Sequence, residues 1–264
     1  MKKIAFIGFG NMGAAIAGGL ISNGIVPAED ICASDLFREK VESAGVRYCG
    51  TPEEAAADAD VILLCVKPNQ VADVVDGIRS VLAEDKVLIS IAAGVRAESI
   101  SDRIGGICPV VRVLPNLPLM AGNGTTVIAR PAGISDKDYE FAKMIFSSIG
   151  ICEEIPADRF NEALPVSSSS PAFFFLLVDM IAEEAARFGI DRESAVRLAA
   201  NTMKGSADMI LNGTGTPAEL ADRVCSKKGT TIAALDAMRE AGIREAFRTG
   251  FERCIERGYE LAGE

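Results

Sequence analysis

The stretch Gly8-Phe9-Gly10-Asn11-Met12-Gly13 decides the fold, because it joins a predicted strand to a predicted helix. The apolar run Ile4-Ala5-Phe6-Ile7 precedes it and predicts a buried parallel strand. The run Ala14-Ala15-Ile16-Ala17 follows it and predicts a helix packed on that strand. A G-x-G-x-x-G loop between a strand and a helix is typical of a Rossmann dinucleotide-binding unit.

Each glycine of this loop has a separate physical purpose. Gly8 allows the tight turn, Gly10 lets the backbone approach a pyrophosphate, and Gly13 lets the helix lie close to the sheet. The N-terminus of the helix then offers free N–H groups and a positive dipole end to the phosphates. We therefore expect all six residues of the loop to contact a nicotinamide or flavin nucleotide.

Charge, the first residues and the cysteines indicate which binding partners and which cellular compartment to expect. The net charge of −10 disfavours nucleic acid and anionic membrane surfaces. The chain begins Met1-Lys2-Lys3 and enters its first strand at once, so we expect no signal peptide and a cytoplasmic protein. The seven cysteines include no C-x-x-C pair, which favours reduced thiols and no metal site.

The chain contains no histidine. This excludes Ser-His-Asp and Cys-His nucleophiles and any histidine general acid. The remaining chemical groups are a cofactor, hydroxyls, lysines, carboxylates and backbone amides. Hydride transfer fits this restriction, because the cofactor carries the difficult step.

Strand and helix patterns alternate through about residue 155. This alternation predicts an α/β fold with a Rossmann-type doubly wound parallel sheet in a domain spanning residues 1–160. The expected strands are residues 4–8, 30–34, 61–66, 87–91, 110–114, 125–129 and 151–155.

Strand patterns cease after residue 160, which predicts an all-helical second domain over residues 161–264. Helical spacing covers residues 173–188, 194–211, 230–239 and 244–261, and Thr216-Pro217-Ala218-Glu219 opens a shorter helix with a capping box. The apolar run Phe173-Phe174-Phe175 needs burial. We expect burial between two subunits, hence a homodimer, with larger assemblies of dimers left open.

Residues at the end of the second strand give conflicting indications about the cofactor. Asp35, which follows Ser34, lies 22 residues after Gly13, where a carboxylate binds the ribose 2′-hydroxyl of NAD. Arg38 could instead bind the 2′-phosphate of NADP. The sequence leaves the two cofactors open.

The ends of other strands should line the nicotinamide crevice. Val66-Lys67-Pro68 and Ala92-Ala93-Gly94 are the candidates, and the small residues of the second group would let a flat ring pack against backbone. Asn116 could hydrogen-bond a carboxamide. Strand termination explains Pro68 equally well.

Two helix starts could hold a small polar substrate. Ser169 and Ser170 precede Pro171, which suits the first position of a helix with Ser170 as its cap. Residues 226–231, Ser-Lys-Lys-Gly-Thr-Thr, open another helix, where free N–H groups and two ammonium groups suit a carboxylate. Ordinary capped helices remain the alternative at both places.

Together these segments resemble the pyrroline-5-carboxylate reductase family over essentially the whole chain. The glycine loop is generic, whereas Ser169-Ser170-Pro171-Ala172 followed later by Gly229-Thr230-Thr231-Ile232 is specific. Residues 66–68, 90–95, 112–116 and 225–226 also carry the resemblance.

The resemblance implies an enzyme that reduces 1-pyrroline-5-carboxylate, a cyclic imino acid, to proline. It implies NADPH as cofactor, with NADH left open, and an interleaved dimer whose active site combines a cofactor domain with helices of the dimer. Amides of Gly229, Thr230 and Thr231 would bind the substrate carboxylate, with Ser169 and Ser170 nearby. Thr231 would lie nearest the imine nitrogen as the catalytic hydroxyl.

Two departures from the family pattern concern these sites. Lys227-Lys228 replaces the usual Pro-Gly, and Ser168 replaces a usual glycine. If the glycine position needs a positive φ, either the lysine there is strained or the turn is rebuilt. The departures keep open another cyclic imino acid as substrate, or a nucleotide-binding paralogue without turnover. A β-hydroxyacid dehydrogenase is disfavoured, because residues 169–173 lack that group's lysine.

Overall fold

An eight-stranded sheet forms the centre of the first part of the molecule. The structure is a computed structural model that describes residues 2–262. Its strand order is β3-β2-β1-β4-β5-β6-β7-β8. The strands are β1 Ile4–Ile7, β2 Ile31–Ser34, β3 Arg47–Tyr48, β4 Val61–Leu64, β5 Val87–Ser90, β6 Val110–Pro115, β7 Gly124–Ala129 and β8 Gly150–Glu154.

Apolar side chains bury both faces of this sheet. Strands β1, β2, β4 and β5 are buried at every position, as expected for parallel strands covered by helices. One face carries a core with Phe6, Leu63 and Phe146, and the other a core with Ile7, Ile62 and Leu88. The helices around the sheet are α1 Asn11–Ser22, α2 Arg38–Ser43, α3 Pro52–Ala57, α4 Val71–Ile78, α5 Ala97–Ile104, α6 Asp136–Ser147 and α7 Phe160–Ala163.

The sheet confirms the expected fold class and differs from the expected strand list in two details. Strand β3 is additional, a two-residue edge strand that pairs with β2. Strand β7 runs antiparallel to β6, whereas all other pairs are parallel. Only residues 116–123 join β6 to β7, and this connection is too short for the helical crossover that a parallel pair requires.

Helices make up the remainder of the chain. They are α8 Ser170–Arg187, α9 Arg192–Leu211, α10 Pro217–Val224, α11 Thr230–Glu240 and α12 Ile243–Ala262. Side-chain caps fix several starts: Asp191 accepts from the Ser194 amide, and Thr216 forms a capping box with Glu219. These helices begin within two residues of the sequence prediction, except α8.

The chain divides into two compact units. Unit 1 comprises Met1–Pro171 and Ile255–Glu264, and unit 2 comprises Ala172–Cys254. The sequence places the boundary after residue 160, eleven residues earlier. The structure has no loop there, because residues Ala157–Arg187 form one helical stretch that includes α7 and α8.

This helical stretch is long and apolar enough to cross a membrane, judged by length and composition alone. Of the 18-residue apolar segment within it, 22% is buried inside the chain. Large apolar side chains are also exposed elsewhere in unit 2, notably Phe188 at 83%, Leu198 at 66% and Leu211 at 71%. Unit 2 therefore presents more apolar surface than a helical unit of its size normally leaves in water.

Candidate active site

The glycine loop has the close packing that its sequence predicts. Gly8 has a φ of +90°, and a Cβ there would lie 2.6 Å from the Cys65 carbonyl oxygen. A Cβ on Gly13 would lie 2.7 Å from the Gly8 carbonyl oxygen. Gly10 has no heavy atom within 4 Å of its Cβ position. The loop therefore packs tightly on its strand side and is open at Gly10, where a pyrophosphate would approach.

The N-terminus of α1 is free to bind an anion. Gly10 is the N-cap residue and makes no side-chain cap hydrogen bond. The first-turn N–H groups of α1 therefore have no side-chain acceptor at the cap. This arrangement fits the phosphates of a dinucleotide.

Asp35 holds the glycine loop in place. Its carboxylate accepts hydrogen bonds from the Phe9 amide at 2.5 Å and from the Phe37 amide at 2.9 Å. The sequence expects this carboxylate at a ribose hydroxyl, and the structure gives it two backbone donors. Asp35 therefore links the loop after β1 to the turn after β2, where buried Ser34 ends the strand.

Two cations lie beyond Asp35 on α2. The Arg38 guanidinium lies 5.4 Å from the centre of the Tyr48 ring and bonds Glu42 at 2.8 Å. The Lys40 ammonium donates to Asn11 Oδ1 at 3.2 Å, which places it beside the start of α1. Sequence reasoning missed Lys40, although its position two residues after Arg38 was visible. Both cations fit a phosphorylated ribose.

An apolar pair precedes these cations on the same turn. Leu36 is 90% exposed and Phe37 is 70% exposed. Exposed large apolar side chains at the end of a Rossmann second strand offer a surface to an adenine ring. With the open Gly10 backbone and the two cations, the residues present fit an adenine dinucleotide phosphate.

The other expected cofactor residues also lie at carboxyl ends of strands. Lys67 and Pro68 are exposed after β4, with the Lys67 amide donating to Gln70 Oε1 at 3.2 Å. Val66, which also follows β4, is half-buried. After β5, Ala92 is buried and Ala93 is exposed. Gly94 has a φ of +74°. Because β4 and β5 are neighbours, these segments share one edge of the sheet.

Asn116 is buried, and its amide is already engaged. Its Nδ2 donates to the Ser167 carbonyl oxygen at 3.0 Å, and its Oδ1 accepts from the Thr125 amide at 2.8 Å. The sequence proposes a carboxamide ligand for this side chain. In the structure Asn116 joins β6, β7 and the serine segment, and its contact with a carboxamide stays a prediction.

The serine segment is not the helix start that the sequence predicts. Residues Leu164–Ser168 form one π-helical turn that continues into α8. Ser170 is not a cap, because its hydroxyl donates to the Val166 carbonyl oxygen at 2.8 Å inside the helix. Pro171 lies in the same continuous helix and cannot donate to the carbonyl of Ser167, four residues earlier. The Asn116 amide uses that carbonyl instead.

The turn before α11 holds Lys228 in a left-handed conformation, which is strained for a residue other than glycine. The Gly229 amide donates to the Ser226 carbonyl oxygen at 2.9 Å, which closes a four-residue turn. Lys228 has a φ of +60° and is the one non-glycine residue with positive φ between residues 2 and 262. A positive φ at the third position defines a type II turn, which favours proline second and glycine third.

The start of α11 is also uncapped by side chains. Gly229 is the N-cap residue, and no side chain accepts a hydrogen bond from the first turn. Thr230 is exposed and Thr231 half-buried at this start, with exposed Lys227 and Lys228 just before it. This arrangement can bind a carboxylate through backbone N–H groups.

Burial raises the pKa of Cys65, beside the glycine loop, to about 12, so this thiol stays protonated at neutral pH. Within residues 2–262 there is no group of three or more cysteines and carboxylates placed to hold a metal ion.

Comparison with known proteins identifies the family. Residues 3–94 match the family described as NADP oxidoreductase coenzyme F420-dependent, and residues 157–261 match that described as pyrroline-5-carboxylate reductase dimerisation. A pyrroline-5-carboxylate reductase of Methanosarcina acetivorans is 36% identical over 264 residues, which cover 98% of each chain. Fold and site define an NAD(P)H-dependent oxidoreductase. The chain belongs to the pyrroline-5-carboxylate reductase family, as the sequence predicts.

Solved structures agree with this assignment. A pyrroline-5-carboxylate reductase from Coxiella burnetii superposes with a TM-score of 0.94 at 29% identity, covering 99% of this chain and 98% of the other. The Plasmodium falciparum enzyme, solved with NADP bound, gives a TM-score of 0.90 at 26% identity with the same coverage. The predicted fold class and class of enzyme are confirmed.

Proposed function

We propose that this chain reduces 1-pyrroline-5-carboxylate to L-proline with hydride from NADPH, as a step of proline biosynthesis. The observation that carries the proposal is the uncapped start of α11 behind a type II turn. This helix start offers N–H groups and a positive dipole end to one carboxylate. Its Gly-Thr-Thr residues are those that the family resemblance assigns to the substrate.

The carboxylate is bound at the amides of Gly229, Thr230 and Thr231. The ammonium groups of Lys227 and Lys228 lie just before these amides in the chain and add positive charge. On a chain of net charge −10, this local positive charge favours an anionic substrate that the rest of the surface repels.

The reaction reduces the C=N double bond of the imine to a single bond. Bound NADPH supplies a hydride to the imine carbon, while the nitrogen gains a proton. The Thr231 hydroxyl is positioned to pass that proton from water, or to hold the nitrogen when the imine arrives protonated. The chain contains no histidine, and positioning of substrate and cofactor supplies most of the acceleration.

The remaining predicted site residues keep their proposed roles with one restriction. Ser169 stays a predicted substrate contact. The Ser170 hydroxyl donates to the helix backbone, so it can only accept a hydrogen bond from the substrate.

Preference for NADPH is supported by the cations on α2. Arg38 and Lys40 provide two positive charges beyond the carboxylate of Asp35, and a 2′-phosphate needs such partners. The Asp35 oxygens accept two backbone hydrogen bonds, which reduces their capacity for ribose hydroxyls.

A homodimer accounts for the apolar surface of unit 2. Residues 157–261 match a family of dimerisation domains, and Phe175, Leu176 and Phe188 are more than half exposed in the single chain. A second copy of this chain would bury them, together with the exposed apolar residues of the helical stretch Ala157–Arg187. Sedimentation should give the mass of a dimer or of a multiple of dimers, and a strictly monomeric mass would contradict the proposal.

The free thiols support a reducing compartment. All seven cysteines are free, which suits a reducing compartment, and we place the enzyme in the cytoplasm. The sequence proposes no nucleic-acid or membrane partner, and that proposal rests on the net charge alone.

The carboxylate site is tested by comparing two cyclic imines. The kcat/KM for 1-pyrroline-5-carboxylate should exceed that for 1-pyrroline, which lacks the carboxylate, by about a hundredfold, because charge-assisted hydrogen bonds each contribute about 1.5–3 kcal/mol. Equal values for the two imines would remove the carboxylate site from the mechanism. Faster turnover of a dicarboxylic imine would favour the alternative that the lysines serve another imino acid.

A further inference from the structure

A cavity of about 980 Å³ lies in unit 1, away from the residues assigned to the reaction. Strands β6 and β7, helices α5 and α7 and Tyr259 of α12 contribute to its lining. Its volume is in the range of small-molecule sites, about 300–1,000 Å³. None of the residues assigned above to cofactor or substrate lines it, so the proposed reaction does not explain this cavity.

Arg112 gives the buried part of the cavity a positive charge. It lies on β6 and is 8% exposed, and its guanidinium lies 4.8 Å from the centre of the buried Phe160 ring. Contact with a ring uses the face of a guanidinium and leaves its N–H groups, which lie in the plane, for other partners. A guanidinium has five such donors and can bond more than one acceptor. This buried cation therefore fits a carboxylate, which it can bind through two parallel hydrogen bonds.

The side chain of Asn161 also lines the cavity. It follows Phe160 on α7, is 8% exposed, and its carboxamide makes no hydrogen bond to any residue between 2 and 262. Its polar atoms remain open to solvent, so a ligand can reach them. Asn116 is buried to a similar degree and has both of its amide atoms bonded to the protein. A largely buried carboxamide without a protein partner is explained when a molecule in the cavity completes its hydrogen bonds.

The exposed part of the cavity is acidic. Its carboxylates are those of Glu84, Glu98, Asp102 and Asp158. The exposed cations of the lining have carboxylate partners, Arg96 with Glu98 at 3.5 Å and Arg130 with Asp136. Asp102 has no ion-pair partner in the part of the chain that the structure describes. This part of the cavity therefore attracts a positive group and repels a second negative one.

We propose that this cavity binds a free aliphatic amino acid, with its carboxylate at Arg112 and Asn161 and its ammonium at the exposed carboxylates. A zwitterion matches both charges of the cavity, whereas a simple anion or cation matches one. Apolar residues such as Val110, Ala129 and Pro131 also line the cavity and suit an aliphatic side chain. The proposal goes beyond the proposed reductase reaction and does not depend on it.

Calorimetry with three ligands tests the two charged contacts separately. The probe is L-valine, which takes no part in the proposed reaction. Its two analogues are isobutylamine, which lacks the carboxylate, and isovalerate, which lacks the ammonium. L-Valine should bind, and each analogue should bind at least about tenfold more weakly, because each loses a charge-assisted contact.

Two variants of Asn161 test the buried contact. Asn161→Asp places a carboxylate opposite that of the ligand, and Asn161→Leu removes both polar atoms without adding charge. Both should weaken L-valine binding at least about tenfold, with far-UV circular dichroism showing that each variant is folded. Asn212→Asp is the matched control, because exposed Asn212 follows α9 in unit 2 and undergoes the same change of charge. It should leave the Kd for L-valine unchanged.

Three results would overturn the proposal. The first is that the unmodified protein does not bind L-valine. The second is an equal Kd for L-valine and either analogue, which would remove one of the two charged contacts. The third is an unchanged Kd for L-valine in both Asn161 variants. Imine reduction enters none of these measurements, so failure here is distinguishable from failure of the proposed reaction.

Discussion

The left-handed conformation of Lys228 leads to a prediction about stability. At φ = +60° a side chain with a Cβ costs about 1–2 kcal/mol. Glycine avoids this cost and loses about 0.5–1 kcal/mol through the greater freedom of its unfolded backbone. Lys228→Gly should therefore be more stable than Lys228→Ala by about 0.7 kcal/mol, since both variants lack the ammonium group equally.

The neighbouring lysine supplies the control, because its φ is negative. At position 227 glycine has only its entropic disadvantage. The free energy of unfolding of Lys227→Ala should therefore exceed that of Lys227→Gly by about 0.5–1 kcal/mol. The order of alanine and glycine is thus expected to reverse between two adjacent exposed positions. A reversal of sign is a sharper result than either small difference alone.

Urea unfolding followed by far-UV circular dichroism suits the measurement, because the chain has no tryptophan. All four variants need the same subunit concentration, since an associated state makes stability depend on concentration. If Lys228→Ala equals or exceeds Lys228→Gly, the residue is not left-handed in solution. The type II turn before α11 would then be incorrect.

Three further predictions concern the cofactor domain. Gly13→Ala should lower kcat/KM for NADPH about a hundredfold, because its Cβ would lie 2.7 Å from the Gly8 carbonyl oxygen and displace the loop. An unchanged kcat/KM would show that the loop tolerates the displacement. Arg38→Ala should raise KM for NADPH about tenfold and leave KM for NADH unchanged, and equal effects on both would exclude a 2′-phosphate contact. With its pKa raised to about 12 by desolvation, Cys65 should resist iodoacetamide at pH 8 in the folded protein and react in urea, as measured by peptide mass. Rapid labelling of the folded protein would contradict the raised pKa.

Much of the sheet could be predicted from the sequence, because its strands are short apolar runs between loop residues. Strand β3 could not, since Arg47–Tyr48 has neither length nor an apolar pattern and exists through pairing with β2. The direction of β7 could not be predicted either. The short connection before β7 implies an antiparallel pair only once β6 is known to be the neighbour of β7.

The backbone geometry of the candidate site could be predicted where neighbouring residues determine it, and less well where distant residues do. The glycine loop and the start of α11 are local patterns of glycine, turn and helix. The serine segment misled the sequence reasoning because Pro171 is common at helix starts. Inside the continuous helix, the carbonyl that Pro171 cannot serve is satisfied by Asn116, which lies 51 residues away from Ser167. Such a distant partner leaves no trace in the local sequence.

The most direct test of the central claim is the oxidation of NADPH by the purified protein with 1-pyrroline-5-carboxylate. We predict loss of absorbance at the nicotinamide band together with one proline formed per NADPH consumed, and slower turnover with NADH. NADPH binding without any proline formation would contradict the proposed reaction. That result would leave the chain as a nucleotide-binding member of its family without this activity.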